Sequence, residues 1–335
     1  MVLQDTMTLT DSGKRHEGAQ ISRRAAFGLG VVGAMSAIKT GDSLVTQLKW
    51  PNDKTILKAY ETPFSATKDP EAAWVVLGGL GVQDSFGIMN ALMPSFSGAK
   101  YAMSVRYPDT GLDIDALSEE INRASHHRGV RAVYVFAHSM SGAMVPDLVQ
   151  RLDKDAPLSR AVFNCTPWTQ DYVVDREIVE IISKLPIKGS FMGKFAVQIA
   201  DRMRNSRDDS PFIAKLRRAW QITNDQGSPE TWLSQIQFLA SKTLSDYQEM
   251  IPENLKSAYV APRNATDGVV LLTRAIDTYE TDIPGDKTIS FTRSNGHANP
   301  RQRPDDYIAA MRMALPVYSS GMSSNRSVGG KPALK

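Results

Sequence analysis

Strand-like and helix-like segments alternate along most of this chain, and that alternation restricts the fold more than any other feature. Residues 72–77 are an unbroken apolar run that ends in glycines. A helical pattern follows, with Phe86, Met89, Leu92 and Met93 on one face. Residues 101–107 read as the next strand, closed by Pro108-Asp109-Thr110-Gly111. Asp113 can then cap a helix whose apolar face is Ile114, Leu117 and Ile121. Further strands are expected over 130–138 and 160–165. Short runs rich in β-branched and aromatic residues mark strands covered on both faces. Their regular succession with helices predicts an α/β fold: a doubly wound, mostly parallel sheet. A weakly alternating run over 55–62 fits one or two edge strands.

The rhythm stops at Trp168 and resumes near residue 256. Between them lie helical stripes without a strand: Phe191, Phe195, Ile199 and Met203, then Phe212, Leu216 and Trp220. Ser228-Pro229-Glu230 is a helix start, and Trp232, Ile236 and Leu239 follow on one face. An all-helical insertion after a strand predicts a lid over the site, and its Met- and aromatic-rich faces suit an apolar substrate. Strands over 257–261 and 288–292, with helices over 269–276 and around Tyr307, Ile308, Met311 and Leu315, complete the pattern. The expected organisation is a sheet core over 50–167 and 256–318, a helical lid over 168–255, a leader over 1–38 and a disordered tail over 319–335.

In the leader, Arg23 and Arg24 precede a stretch free of charge from Ala25 to Ile38. A surface helix would show a polar face there. Paired arginines before a short apolar segment resemble a twin-arginine export signal, with the export machinery as the expected partner and a periplasmic, extracellular or membrane-anchored destination. The one cysteine, Cys165, allows no internal disulfide and no Cys-rich metal site. A net charge of +3 on scattered basic residues excludes a nucleic-acid-binding surface.

The strand at 130–138 runs into Ala137-His138-Ser139-Met140-Ser141-Gly142, and a helix-compatible segment follows. A serine at the tip of a sharp strand-to-helix turn, flanked by small residues, describes a nucleophile elbow. The bland alternative is a β-to-α turn with an incidental serine. Pro146 falls inside the expected elbow helix, where it would cost a hydrogen bond. Gly78-Gly79-Leu80-Gly81 follows the strand at 72–77, and such loops bring backbone N–H groups close to a ligand or a developing anion. As a dinucleotide fingerprint it fails, because the third glycine position holds Asp84.

A serine nucleophile needs a base, usually histidine. His16 lies in the leader, His126 and His127 end a helix at the opposite edge of the sheet, and His138 adjoins the serine itself. His297 alone sits in a loop at the end of a late strand. Asp267 follows a strand end by a few residues, with Asp171 and Asp175 as rivals for the acid. Ser139, Asp267 and His297 occur in the chain order of the α/β-hydrolase triad.

Over about 55–318 the chain resembles the α/β-hydrolase superfamily. Val76-Leu77-Gly78-Gly79-Leu80-Gly81 is similar to its His-Gly-x-Gly loop, Ala137 to Gly142 to its Gly-His-Ser-Met-Gly-Gly elbow, and Gly296-His297 to its last loop. The departures are Ala137 and Ser141, which stand where the pattern has glycine. The resemblance implies an oxyanion hole from the backbone N–H groups of Met140 and Leu80. It also implies a serine esterase or related acyl hydrolase acting on a small molecule. The sequence has no His/Glu zinc spacing and no phosphate loop, so no metal or organic cofactor is expected. A peptidase or acyltransferase on the same fold, and a degenerate non-catalytic binding protein, are the alternatives.

Overall fold

In a computed structural model, the described residues are 54–62, 71–96, 98–174, 176–183, 229–263, 267–293, 300–301 and 303–314. The leader, the tail, the stripes from Phe191 to Trp220, Asp175 and His297 lie outside them. In chain order the first elements are β1 (Ile56–Glu61), β2 (Ala72–Leu77), α1 (Phe86–Leu92), β3 (Tyr101–Arg106), α2 (Ile114–Arg128) and β4 (Ala132–His138). A 3₁₀ turn (Ser139–Met144) leads into α3 (Val145–Arg151), followed by β5 (Leu158–Asn164), α4 (Arg176–Ser183), α5 (Pro229–Ser241) and α6 (Leu244–Met250). The chain then forms β6 (Lys256–Pro262), α7 (Leu272–Thr281), β7 (Asp286–Thr292) and α8 (Pro304–Ala314).

Among the described residues seven strands form one sheet in the order β1-β3-β2-β4-β5-β6-β7. Only β1 runs antiparallel, against β3. Strand side chains alternate between faces, and the packing follows that period. Trp74, Val76, Tyr134, Phe136 and Val260 pack with Ile88 and Met89 of α1 and Tyr307 and Met311 of α8. Val75, Leu77, Val133, Val135 and Phe163 pack on the other side with Leu117 and Ile121 of α2, Leu148 of α3 and Ala275 and Tyr279 of α7. Each such fully enclosed side chain contributes about 1.5–3 kcal/mol. The central strand β2 is buried along its whole length, which is why it reads as one apolar run.

Local signals account for several boundaries. The Asp113 carboxylate accepts the Ala116 N–H at 2.9 Å, and Gly129 ends α2 in the left-handed region at φ 65°. Pro146 corrects the sequence expectation. Helix α3 begins only at Val145, so the proline occupies its first turn, where no intrahelical N–H is needed. Helix α7 starts later than expected, because Val269 and Val270 donate to the Asp267 carboxylate instead of entering a helix.

Trp168 is enclosed by Phe163, Tyr247, Tyr259 and Tyr279. Its Nε1 donates to Ala275 O at 2.7 Å, and Tyr247 Oη donates to its carbonyl at 2.6 Å. This aromatic block joins α6 and α7 to the sheet. A second tie is electrostatic: the almost enclosed Lys242 ammonium, just after α5, pairs with Asp147 of α3, which also accepts from Arg151 at 3.0 Å. No helix of the described residues is long and apolar enough to cross a membrane.

Candidate active site

Five parallel strands and β3 direct their C-terminal ends to one edge, and β4 delivers Ser139 there. Ser139 has φ 56°. A left-handed conformation costs a non-glycine residue roughly 1–2 kcal/mol, so the turn is held by its surroundings. Those surroundings are visible at the flanking positions. Ser141 is fully buried, and its Oγ donates to His138 O at 2.9 Å and to Leu77 O at 3.1 Å. A hydroxyl at 141 therefore braces the elbow from inside. The position with no room is one later, since a Cβ on Gly142 would stand 2.2 Å from Thr166 Cγ2 and 2.3 Å from its Oγ1. Ala137 lies fully buried in register with Leu77 of β2.

The glycine loop after β2 lies directly on this turn. A Cβ on Gly79 would come 2.8 Å from Ser139 Cβ and 2.9 Å from His138 O. Val82 N–H donates to Gly79 O at 3.0 Å, Gly81 takes φ 78°, and Tyr107 Oη donates to Gly78 O at 3.3 Å. Leu80 is thus carried at the bend of a tight turn whose neighbour touches the nucleophile candidate, and Met140 follows Ser139 in the 3₁₀ turn.

His138 is buried, and its Nδ1 lies 2.6 Å from Asn164 Oδ1. Asn164 Nδ2 donates to Val260 O at 3.1 Å, which fixes the amide and makes His138 Nδ1 the donor. The ring is tied into the β4–β5–β6 edge. The next residue, Cys165, has φ 47° and is enclosed. Its Sγ lies 3.9 Å from Val260 O, and burial together with the negative charge of Asp267 pushes the thiol well above its ordinary pKa. A raised thiol predicts inertness: Cys165 should not react with a thiol-specific disulfide reagent at pH 8 until the protein is unfolded. Rapid native labelling would contradict that burial.

Asp267 Oδ1 also accepts Val269 N–H at 2.7 Å and Val270 N–H at 3.1 Å. Its rival Asp171 is engaged elsewhere, with Arg176 at 3.0 Å. His126 sits beside Asp153 at 2.7 Å, in the last turn of α2. His297 belongs to the segment after β7, outside the described residues. Among the described residues at this edge that the sequence did not point to is Gln235 of α5, whose Oε1 accepts Gly81 N–H at 3.0 Å. Thr231, Ser234 and Gln235 share a helical face, the signal that was present. Among the described residues no cluster of His, Cys, Asp and Glu is placed to hold a metal ion.

No protein-family model and no curated protein matches the sequence. Solved structures do match the fold. A bromoperoxidase from Bacillus anthracis is 14% identical with a TM-score of 0.54, covering 78% of this chain and 94% of its own. An esterase from Exiguobacterium antarcticum is 14% identical with a TM-score of 0.51, over 77% of this chain and 94% of its own. A thermophilic esterase from Thermogutta terrifontis is 12% identical with a TM-score of 0.51, over 77% and 92%. Such a likeness is one of architecture, and with the sheet order above it establishes that this chain has the α/β-hydrolase fold.

Proposed function

We propose that this protein is a serine hydrolase of small acyl compounds, a carboxylic ester being the expected substrate. The observation that carries the reading is Ser139 at φ 56° on the C-terminal edge of a parallel sheet, pressed against the glycine loop. Strain of this kind at a polar residue persists where position matters more than stability. In the proposed reaction His297 takes the proton from Ser139 Oγ, which attacks the carbonyl carbon. The carbonyl oxygen becomes an anion facing the N–H groups of Leu80 and Met140, and Asp267 orients the imidazole. The alcohol leaves with the proton from His297, and water then releases the acid by the same steps. The architecture shared with esterases supports this choice of chemistry, and no step calls for a metal or organic cofactor.

A fluorophosphonate probe tests the reading. Folded protein should be labelled at Ser139, and heat-denatured protein should not. Equal, negligible labelling of both would leave a hydrolase fold that only binds. The uncharged stretch after Arg23 and Arg24 supports export through a twin-arginine route. Changing both arginines to lysine should then retain the protein in the cytoplasm of a bacterial host possessing that route; unchanged export would refute it.

A further inference from the structure

Thr231, Ser234 and Gln235 lie on one face of α5, and each reaches a loop at the C-terminal ends of β2 and β3. Thr231 Oγ1 donates to Pro108 O at 2.6 Å, Ser234 Oγ accepts Leu112 N–H at 2.6 Å, and Gln235 Oε1 accepts Gly81 N–H at 3.0 Å. Gln235 differs from the other two in what is left over. It is fully buried, and its Nε2 has no hydrogen-bond partner among the described residues. The side-chain amide cannot be turned to relieve this, because the Gly81 N–H can only donate and so holds Oε1 in place. An enclosed amide nitrogen without an acceptor is costly, and one kept in a native structure calls for an explanation, a functional role among them. Its location favours that role. Gly81 adjoins Leu80, Gly79 touches Ser139, and α5 packs on the elbow turn.

We infer that Gln235 is a specificity-determining residue whose Nε2 donates to a second acceptor oxygen on the acyl substrate, close to the scissile carbonyl. The preferred substrate class is thus a hydroxy-, alkoxy- or oxo-acyl compound. A plain alkyl chain leaves the buried amide unpaired, and sites built to pair a polar group discriminate against analogues that lack it. The inference rests on acyl transfer at Ser139.

The test compares p-nitrophenyl methoxyacetate with p-nitrophenyl butyrate, two acyl groups of equal length that differ by one ether oxygen. The readout is the ratio of their kcat/KM values. Loosening of the glycine loop affects both esters alike and cancels in that ratio. Gln235→Met, close in volume, and Gln235→Leu should each lower the ratio about tenfold relative to the unchanged protein, the worth of one hydrogen bond. A second arm needs no turnover: calorimetric binding of the unreactive methoxyacetanilide and butyranilide to Ser139→Ala, with and without Gln235→Met. Loss of the methoxy preference there supports the inference even if neither ester is hydrolysed, an outcome that would refute the hydrolase reading alone. Ratios unchanged within twofold in both arms overturn the role of Gln235.

Discussion

Ser139→Ala is expected to lower ester turnover by at least about a thousandfold, leaving only what substrate binding and the oxyanion donors achieve unaided. The substitution removes one oxygen and keeps the Cβ, so the backbone still bears φ 56° and the fold should survive. On the proposed mechanism His297→Ala should fall as far, since a nucleophile and its base act as a unit and their losses do not add. A companion substitution separates chemistry from strain. Ser139→Gly removes the same nucleophile but also the Cβ that opposes a left-handed turn. It should be more stable than Ser139→Ala by about 1 kcal/mol, although glycine ordinarily destabilises. Thermal melts of the two variants, with p-nitrophenyl acetate turnover, check both points. Retained turnover in Ser139→Ala would end the catalytic reading, and a less stable glycine variant would remove the strain on which it rests.

Gly142→Ala is the second large effect, and it needs no assumption about function. The new methyl would overlap two Thr166 side-chain atoms, at 2.2 and 2.3 Å, and a third, Cβ, at 2.8 Å. Both residues are buried, one within the 3₁₀ turn and the other past the end of β5, so neither backbone can retreat freely. Overpacking of this kind costs about 1–3 kcal/mol, and any relief must come from shifting the 3₁₀ turn that holds Ser139. Both stability and activity should fall. Thr166→Ala supplies the remedy, since it deletes the two nearer atoms and leaves only the contact at 2.8 Å. Thr166 Oγ1 is buried without a hydrogen-bond partner among the described residues, so its removal breaks no bond seen there. The double variant should therefore recover at least about 1 kcal/mol of the loss, a favourable coupling measured by a denaturant-unfolding cycle. Additive losses would mean that the crowding lies elsewhere.

The sheet was legible because burial on both faces writes itself into consecutive residues. The run at 72–77 became β2 without a shift, and Asp113 announced its helix. Turns were legible in kind and not in detail. Small residues marked the elbow, but whether the close approach falls at 141 or 142 depends on Thr166, which a linear motif does not contain. Pro146 looked misplaced only because a 3₁₀ turn before the helix leaves no periodic trace. The pairing of His138 with Asn164 is set by strand register between β4 and β5. Nothing local encodes it. Gln235 was hidden for the same reason, with its partner 154 residues away. Gln235 falls inside the apolar stripe of Trp232, Ile236 and Leu239, at i+3 from the first, and the apolar residues drew the attention.

The bond from Gly81 N–H to Gln235 gives the molecule a built-in reporter. That amide is sealed only while α5 rests on the glycine loop, since its acceptor belongs to the helix and not to the sheet. Its exchange with deuterium therefore counts how often the helix lifts. The amide of Val82, bonded within the turn to Gly79 O, supplies the clock for the loop itself. The difference between two neighbouring protons measures the opening of one side of the site, without a substrate and without altering a residue.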